Sequence, residues 1–119
     1  MAMNERRNIK RRYLMYFLRI FDKKQDRFIG NLVDITTDGI MVMSENPIET
    51  NTVFQLKMYL PEKIKGKEEI SFDARSIRSN KETRPAFYFT GFQYQKVDPD
   101  DAEIIKNLID NFGISEKSE

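Results

Sequence analysis

The chain has no cysteine and no histidine among its 119 residues. Those two absences exclude a disulfide framework, a Cys or His zinc site, a cysteine nucleophile and a histidine general base. A cysteine-free chain also suits a reducing compartment, and the expected location is cytoplasmic. Net charge is nearly absent as well: 20 Lys and Arg stand against 19 Asp and Glu, leaving +1. A balance so close to zero is not that of a strongly basic nucleic-acid binder or of an acidic solvating chain. Long apolar runs are lacking too. The longest candidate, Tyr13 to Phe21, follows basic residues as a signal peptide would. Arg19 interrupts it, no small-residue cleavage site follows, and it falls far short of the ~20 residues a spanning helix needs. No membrane insertion is expected.

What is present is enough for one small core. Apolar residues make up 39% and charged residues 33%, the balance of a single globular domain with a heavily charged surface. The aromatic and branched residues of Tyr13–Phe21 read as a strand, and Asp22 to Asp26 as the turn after it. Arg27 to Ile35 reads as a second strand, where Gly30 suggests a bend or bulge. Gly39 opens a third through Ser44, and Asn46-Pro47 to Asn51 is a turn. Thr52 to Leu60 alternates, with Phe54, Leu56, Met58 and Leu60 on one face, and Pro61 is expected to end it. Glu62 to Glu69 reads as a charged loop, Ile70 to Arg75 as a fifth strand, Ser79 to Pro85 as a polar connection and Phe87 to Gln95 as a sixth strand.

The period then changes. Ala102, Ile105, Leu108, Ile109 and Phe112 recur at helical spacing. Asp98 suits an N-cap, Pro99 the first helical position, Asp100 and Asp101 the positive end of the helix dipole, and Gly113 the stop. The expected fold is therefore all-β with a C-terminal helix: a six-stranded antiparallel barrel with the helix packed on it. The expected organisation is a flexible basic arm over residues 1–12, the barrel with its helix (98–112) over 13–113, and a polar tail over 114–119.

Two segments point to chemistry. In the arm, Arg6, Arg7, Lys10, Arg11 and Arg12 put five cations within seven residues. As a bare run this is a solvated tail, but four of the five are arginines, whose planar fork suits phosphate and whose face stacks on a base. The arm carries +4, from five cations and one acid, whereas Asp98 to Glu119 carries −5, from seven acids and two cations, so the overall balance is a cancellation. The second segment is Asp34-Ile35-Thr36-Thr37-Asp38-Gly39. By itself it is a tight turn, with Gly39 expected at a positive φ. Asp34 and Thr36 share a parity, however, so a carboxylate and a hydroxyl project together, a pair suited to a guanine edge and a phosphate.

Together these segments resemble the PilZ family of bacterial cyclic di-GMP receptors. Arg7-Asn8-Ile9-Lys10-Arg11 matches that family's Arg-x-x-x-Arg motif, and Asp34 to Gly39 its D/N-x-S-x-x-G motif, with threonine at Thr36 in place of the usual serine. The strand order, the closing helix and, loosely, Thr90-Gly91-Phe92 extend the likeness over Glu5 to Phe112. The resemblance implies that Arg7 and Arg11 clasp the phosphates and stack on guanine, with Arg6, Lys10 and Arg12 as secondary candidates. It further implies that Asp34 reads a guanine edge, that Thr36 contacts the ligand and that Gly39 keeps the turn tight. The implied protein is a stand-alone cyclic di-GMP receptor that orders its arm over the ligand and signals to an effector protein. It is no enzyme, with no catalytic residues, no metal and no cofactor beyond that ligand.

Two other readings compete. One is a PilZ-like domain that binds no nucleotide and serves as a protein–protein interaction module, with Thr36 as its support. The other, a nucleic-acid-binding barrel that stacks bases on Tyr13, Phe17 and Phe21, is disfavoured by the acidic C-terminal segment, and no nucleic-acid partner is expected. An enzyme built on Asp98, Asp100 and Asp101, or on Glu68 and Glu69, has less support than helix-start chemistry and a solvated loop.

Overall fold

The computed structural model describes residues 18–81 and 87–112. The basic arm, Tyr13 to Phe17, the 82–86 connection, Gly113 and the 114–119 tail lie outside these residues. Six strands follow in order: β1 (Arg19–Asp22), β2 (Arg27–Ile35), β3 (Gly39–Ser44), β4 (Val53–Ile64), β5 (Lys67–Lys81) and β6 (Tyr88–Lys96), then one helix, α1 (Pro99–Phe112). Every neighbouring pair is antiparallel, and the order β1-β2-β3-β6-β5-β4 closes into a barrel. Closure leaves no unpaired edge in a chain this rich in strand.

The alternation seen in the sequence is what closes it. Ile20, Leu32, Val42, Leu56, Met58, Ile70 and Ala74 point inward and are buried, while their odd-parity neighbours face out. Bulges supply the bends a small barrel needs. One, opposite Ile20 and Phe21, leaves Ile29 unpaired beside Gly30. At Gly30 a side chain would run into the Met43 carbonyl oxygen, so the close approach of β3 requires glycine there.

The hairpin between β4 and β5 differs from expectation. Pro61 does not end β4, and the charged stretch is not a loop: β4 continues to Ile64 and β5 begins at Lys67. Lys65 and Gly66 both take positive φ (51° and 79°), the two-residue turn whose twist matches paired strands. Pro61 is accommodated because Leu60 to Lys63 lie within an irregularity of the register, so the missing N–H breaks no ladder bond. β5 likewise runs through Ser79 to Lys81, which were expected in a connection.

The helix begins where its sequence indicates, with the Asp98 carbonyl accepting from the Ala102 N–H at 2.8 Å. Its apolar stripe is shifted from the expected one. Ile104, Ile105 and Leu108 are buried against the barrel core, Ile109 is half-buried and Ala102 is exposed. Asp101 is only 4% exposed, because it turns inward to accept from Lys67 Nζ at 2.7 Å and from the Ser71 N–H at 3.4 Å. The carboxylate assigned to the helix dipole is thus also the pin that holds α1 to β5.

Two groups make the barrel sensitive to alkali. Burial pushes the Tyr94 phenol well above its ordinary value of 10.0, and its hydroxyl has no hydrogen-bond partner among the described residues. The hydrogen bond to Asp101 raises the Lys67 ammonium above 10.5. Above about pH 10 the unfolded chain sheds the phenol proton that the native chain retains, so stability falls with pH. The Lys67 contribution, present below 10.5, is lost in the same direction as pH rises through its raised value. The urea midpoint is therefore expected to fall between about pH 8 and about pH 11. Tyr94→Phe, which keeps the edge-on contact with Phe72 at 5.1 Å, should lose less over that interval. Parallel losses in parent and variant would refute the assignment to Tyr94.

Candidate functional site

The Asp34–Gly39 segment spans the end of β2 and the start of β3, and the backbone explains its shape. A bulge leaves Val33 unpaired, since Leu32 pairs with Val42 and Asp34 with Met41. Thr36 N–H donates to the Gly39 carbonyl at 2.9 Å, closing the turn. The Thr36 hydroxyl accepts from the N–H groups of Asp38 and Gly39, at 3.1 and 3.2 Å, and donates to the Gly39 carbonyl at 3.3 Å. Its one proton and both lone pairs are thereby used within the turn. A serine would make the same three bonds, so the threonine departure from the motif leaves the turn chemistry intact.

Gly39 is needed for a reason other than the expected one. Among the described glycines only Gly66 has a positive φ. At Gly39 a Cβ would strike the Phe92 carbonyl oxygen of β6, with further Phe92 and Gln93 backbone atoms at 2.9 and 3.1 Å. Close approach of two backbones sets the requirement. The approach also lets the Tyr94 N–H donate to the Asp38 carbonyl at 3.0 Å, tying the turn to β6.

Asp34 and Thr36 line one surface cleft of about 410 Å³, with Asp38, Gly39, Met41, Ile77, Gly91 and Gln93. One Asp34 carboxylate oxygen accepts from the Ile35 N–H at 2.8 Å, which fixes the side chain, and the other has no partner among the described residues. A fixed carboxylate with a spare oxygen at the mouth of a cleft is an acceptor in search of donors. The structure thus brings together Asp34, Thr36 and Gly39. Arg7 and Arg11, with Arg6, Lys10 and Arg12, lie outside the described residues.

The apolar wall of this cleft lies outside both sequence motifs; methionines such as Met41 could also be read as core filler. Met41 and Ile77 are 37% and 51% exposed, two of the large hydrophobic side chains that face solvent. The signal was there. Ile77 shares the parity of the outward Ser71, Asp73 and Arg75, and Met41 that of outward Met43. A roomier cleft, about 680 Å³, lies among Asp22, Arg27, Ile48 and Phe54, and holds none of the sequence-predicted site residues.

The exterior aromatics are differently occupied. Phe21 is half-buried, its ring edge-on to Phe28 and Tyr59, each at 5.5 Å. The Arg19 guanidinium and Lys57 ammonium lie over the Phe21 and Tyr59 rings at 5.3 to 5.7 Å. Those ring faces are spent on the protein's own cations, which weakens the base-stacking alternative. Tyr13 and Phe17 lie outside the described residues. Among the described residues, no helix is long and apolar enough to cross a membrane, and no cluster of acidic residues is arranged to hold a metal.

The small closed barrel thus carries the motif turn beside a lined surface cleft. The PilZ domain family model matches residues 5–111, nearly the whole chain, and the chain belongs to the PilZ domain family. Members are binding modules of cyclic di-GMP signalling. Among solved structures the chain is similar to the Bacillus subtilis inhibitor of motility MotI/DgrA, with a TM-score of 0.55 and 16% sequence identity. The match covers 74% of this chain but 42% of that one, so the chain spans less than half of its length, and the likeness is one of fold. No curated protein matches significantly.

Proposed function

We propose that the chain is a cyclic di-GMP receptor. The ligand lies in the cleft beside the β2–β3 turn, and the arginine arm closes over it. The observation that carries this reading is the Asp34 carboxylate, fixed by the Ile35 N–H and facing a cleft in a chain that also holds Arg7 and Arg11 on the family's spacing. Guanine presents N1–H and N2–H donors on one edge, and a spare carboxylate oxygen accepts from them. Phosphates meet the guanidinium forks of Arg7 and Arg11, while Arg6, Lys10 and Arg12 add positive potential. Thr36 acts through the turn, presenting backbone and carboxylate in register. The competing reading, a nucleotide-free interaction module, rests on the Thr36 departure; the bonds within the turn are ones a serine would also make, which favours the receptor reading.

A receptor fits these groups better than a catalyst, because nothing among them supplies a nucleophile or a base poised for proton transfer. Binding of a small ligand that orders an arm changes the surface offered to another protein, and an effector protein is the natural recipient of the signal. MotI/DgrA is titled an inhibitor of motility, and control of motility is one candidate output.

The discriminating test compares bases. Adenine lacks the N1–H and N2–H donors, so cyclic di-AMP is expected to bind more weakly than cyclic di-GMP by ~1.5–3 kcal/mol. Asp34→Ala should weaken cyclic di-GMP binding by a similar amount and close most of that gap. Equal affinities for the two dinucleotides in the parent chain would refute the role given to Asp34.

A further inference from the structure

At the end of the barrel where β4 begins, the cleft of about 680 Å³ lies between two segments that the fold holds in place. One is the β1–β2 turn. A single Asp22 carboxylate oxygen accepts from the N–H groups of Lys24 and Gln25, at 3.0 and 3.2 Å, which fixes turn and side chain together. The other is the β3–β4 loop, clamped by two buried hydroxyls. Ser44 Oγ donates to the Asn46 carbonyl at 2.7 Å, and Ser76 Oγ to the Glu49 carbonyl at 2.6 Å. Ile29, Ile48 and Phe54 line the space between them, each half-buried. Ile29 is the residue that the β1–β2 bulge leaves unpaired. The volume falls within the range of small-molecule sites, roughly 300–1,000 Å³, and the two fixed walls leave little to reorganise on binding.

The charges around this cleft give it its chemistry. Asp22 is only 6% exposed, and its second oxygen has no partner among the described residues. A carboxylate held this far from water draws donors to both oxygens, and the turn supplies them to one. Glu49 lines the other wall, and Arg27, the Cα partner of Asp22, lines the same cleft. The ion pairs among the described residues, Lys65–Glu103 and Lys67–Asp101, lie elsewhere, so neither acid is paired with Arg27. Two unpaired carboxylates and one unpaired guanidinium about an apolar wall complement an ammonium, a carboxylate and an apolar body. We propose that this cleft is a second small-ligand site, for an apolar amino acid or dipeptide. The ammonium meets Asp22 and Glu49, the carboxylate meets the Arg27 fork, and the apolar body packs on Ile29, Ile48 and Phe54. With two acids to one base, the ammonium is the stronger determinant, and a phosphorylated ligand is repelled. The site shares no lining residue with the cleft beside the β2–β3 turn and stands apart from the receptor reading.

The test titrates the full chain, carrying ¹³C-labelled Ile δ1 methyls, with phenylalanine and with phenylalanyl-leucine. Saturable shifts at the Ile29 and Ile48 methyls are expected from at least one of them. N-acetyl-phenylalanine, which has no ammonium, should bind roughly tenfold or more weakly than phenylalanine, and phenylalaninamide, which has no carboxylate, should lose less. Asp22→Asn keeps an acceptor oxygen for the turn while removing the charge, and should weaken binding roughly tenfold or more. Glu49→Gln, at an exposed position, should weaken it severalfold and carries the test if Asp22→Asn does not fold. Absence of shifts at millimolar concentrations of both probes overturns the proposal. So do shifts confined to Ile77 of the other cleft, N-acetyl-phenylalanine binding as well as phenylalanine, or affinity unchanged in the folded variants.

Discussion

Gly39→Ala is expected to destabilise the barrel by about 3 kcal/mol, at the upper end of what overpacking costs. The added methyl has nowhere to go, because the atoms it meets are backbone of β6 rather than the flexible end of a side chain. Relief requires β3 and β6 to part where Gly39 pairs with Gln93 and Ile40 with Phe92. Parting them strains the Asp38–Tyr94 bond and the Thr36 network, so the same change should cost ligand affinity as well. Gly91→Ala is the matched control, since its Cβ enters open space. Urea unfolding of the two variants side by side is the check. A loss at Gly39 below about 1 kcal/mol, or one equal to that at Gly91, would contradict the close-approach explanation.

The second large effect lies in the arm. Arg7→Ala and Arg11→Ala are each expected to cost ~1.5–3 kcal/mol of cyclic di-GMP affinity, as charge-assisted bonds do. Arg7→Lys and Arg11→Lys should recover only part of it, because an ammonium keeps the charge but loses the fork and the stacking face. Thermal stability should stay close to the parent's in all four variants. If alanine variants bind as tightly as the parent, the clasp is elsewhere in the arm and Lys10 or Arg12 takes its place.

The parts of the fold that the sequence made legible are those where one physical signal dominated. Clean alternation in β4 identified the inward Leu56 and Met58, and the shift to helical period with Asp98 and Pro99 located α1. Boundaries failed where two signals opposed each other. Pro61 and six charged residues argued for a loop after Leu60, yet a register irregularity and the Lys65-Gly66 turn keep the chain in strand on both sides. The helix stripe slipped because Ile104 and Ile105 are both apolar, and only tertiary packing shows that both are buried while Ala102 is exposed.

The site was half legible for a similar reason. Asp34, Thr36 and Gly39 are consecutive enough to read as one turn, and a local motif announces itself locally. The correct reason for Gly39, contact with Phe92, is 53 residues away in the chain and depends on the barrel. Met41, Ile77 and Gly91 come together only because β3, β6 and β5 are neighbours, and a bulge at Ile77 lets Arg78 face outward beside it. The outward parity of Met41 and Ile77 was the trace of this in the sequence. No pattern along the chain specifies which strand a bulge will serve.

The most direct measurement is a calorimetric titration of the full chain with cyclic di-GMP. Saturable binding, with an entropic penalty from ordering the arm and a negative heat-capacity change from covering Met41 and Ile77, is the expected result. Absence of heat up to high micromolar ligand, with the chain folded, would contradict the receptor reading and leave the barrel as a protein-interaction module.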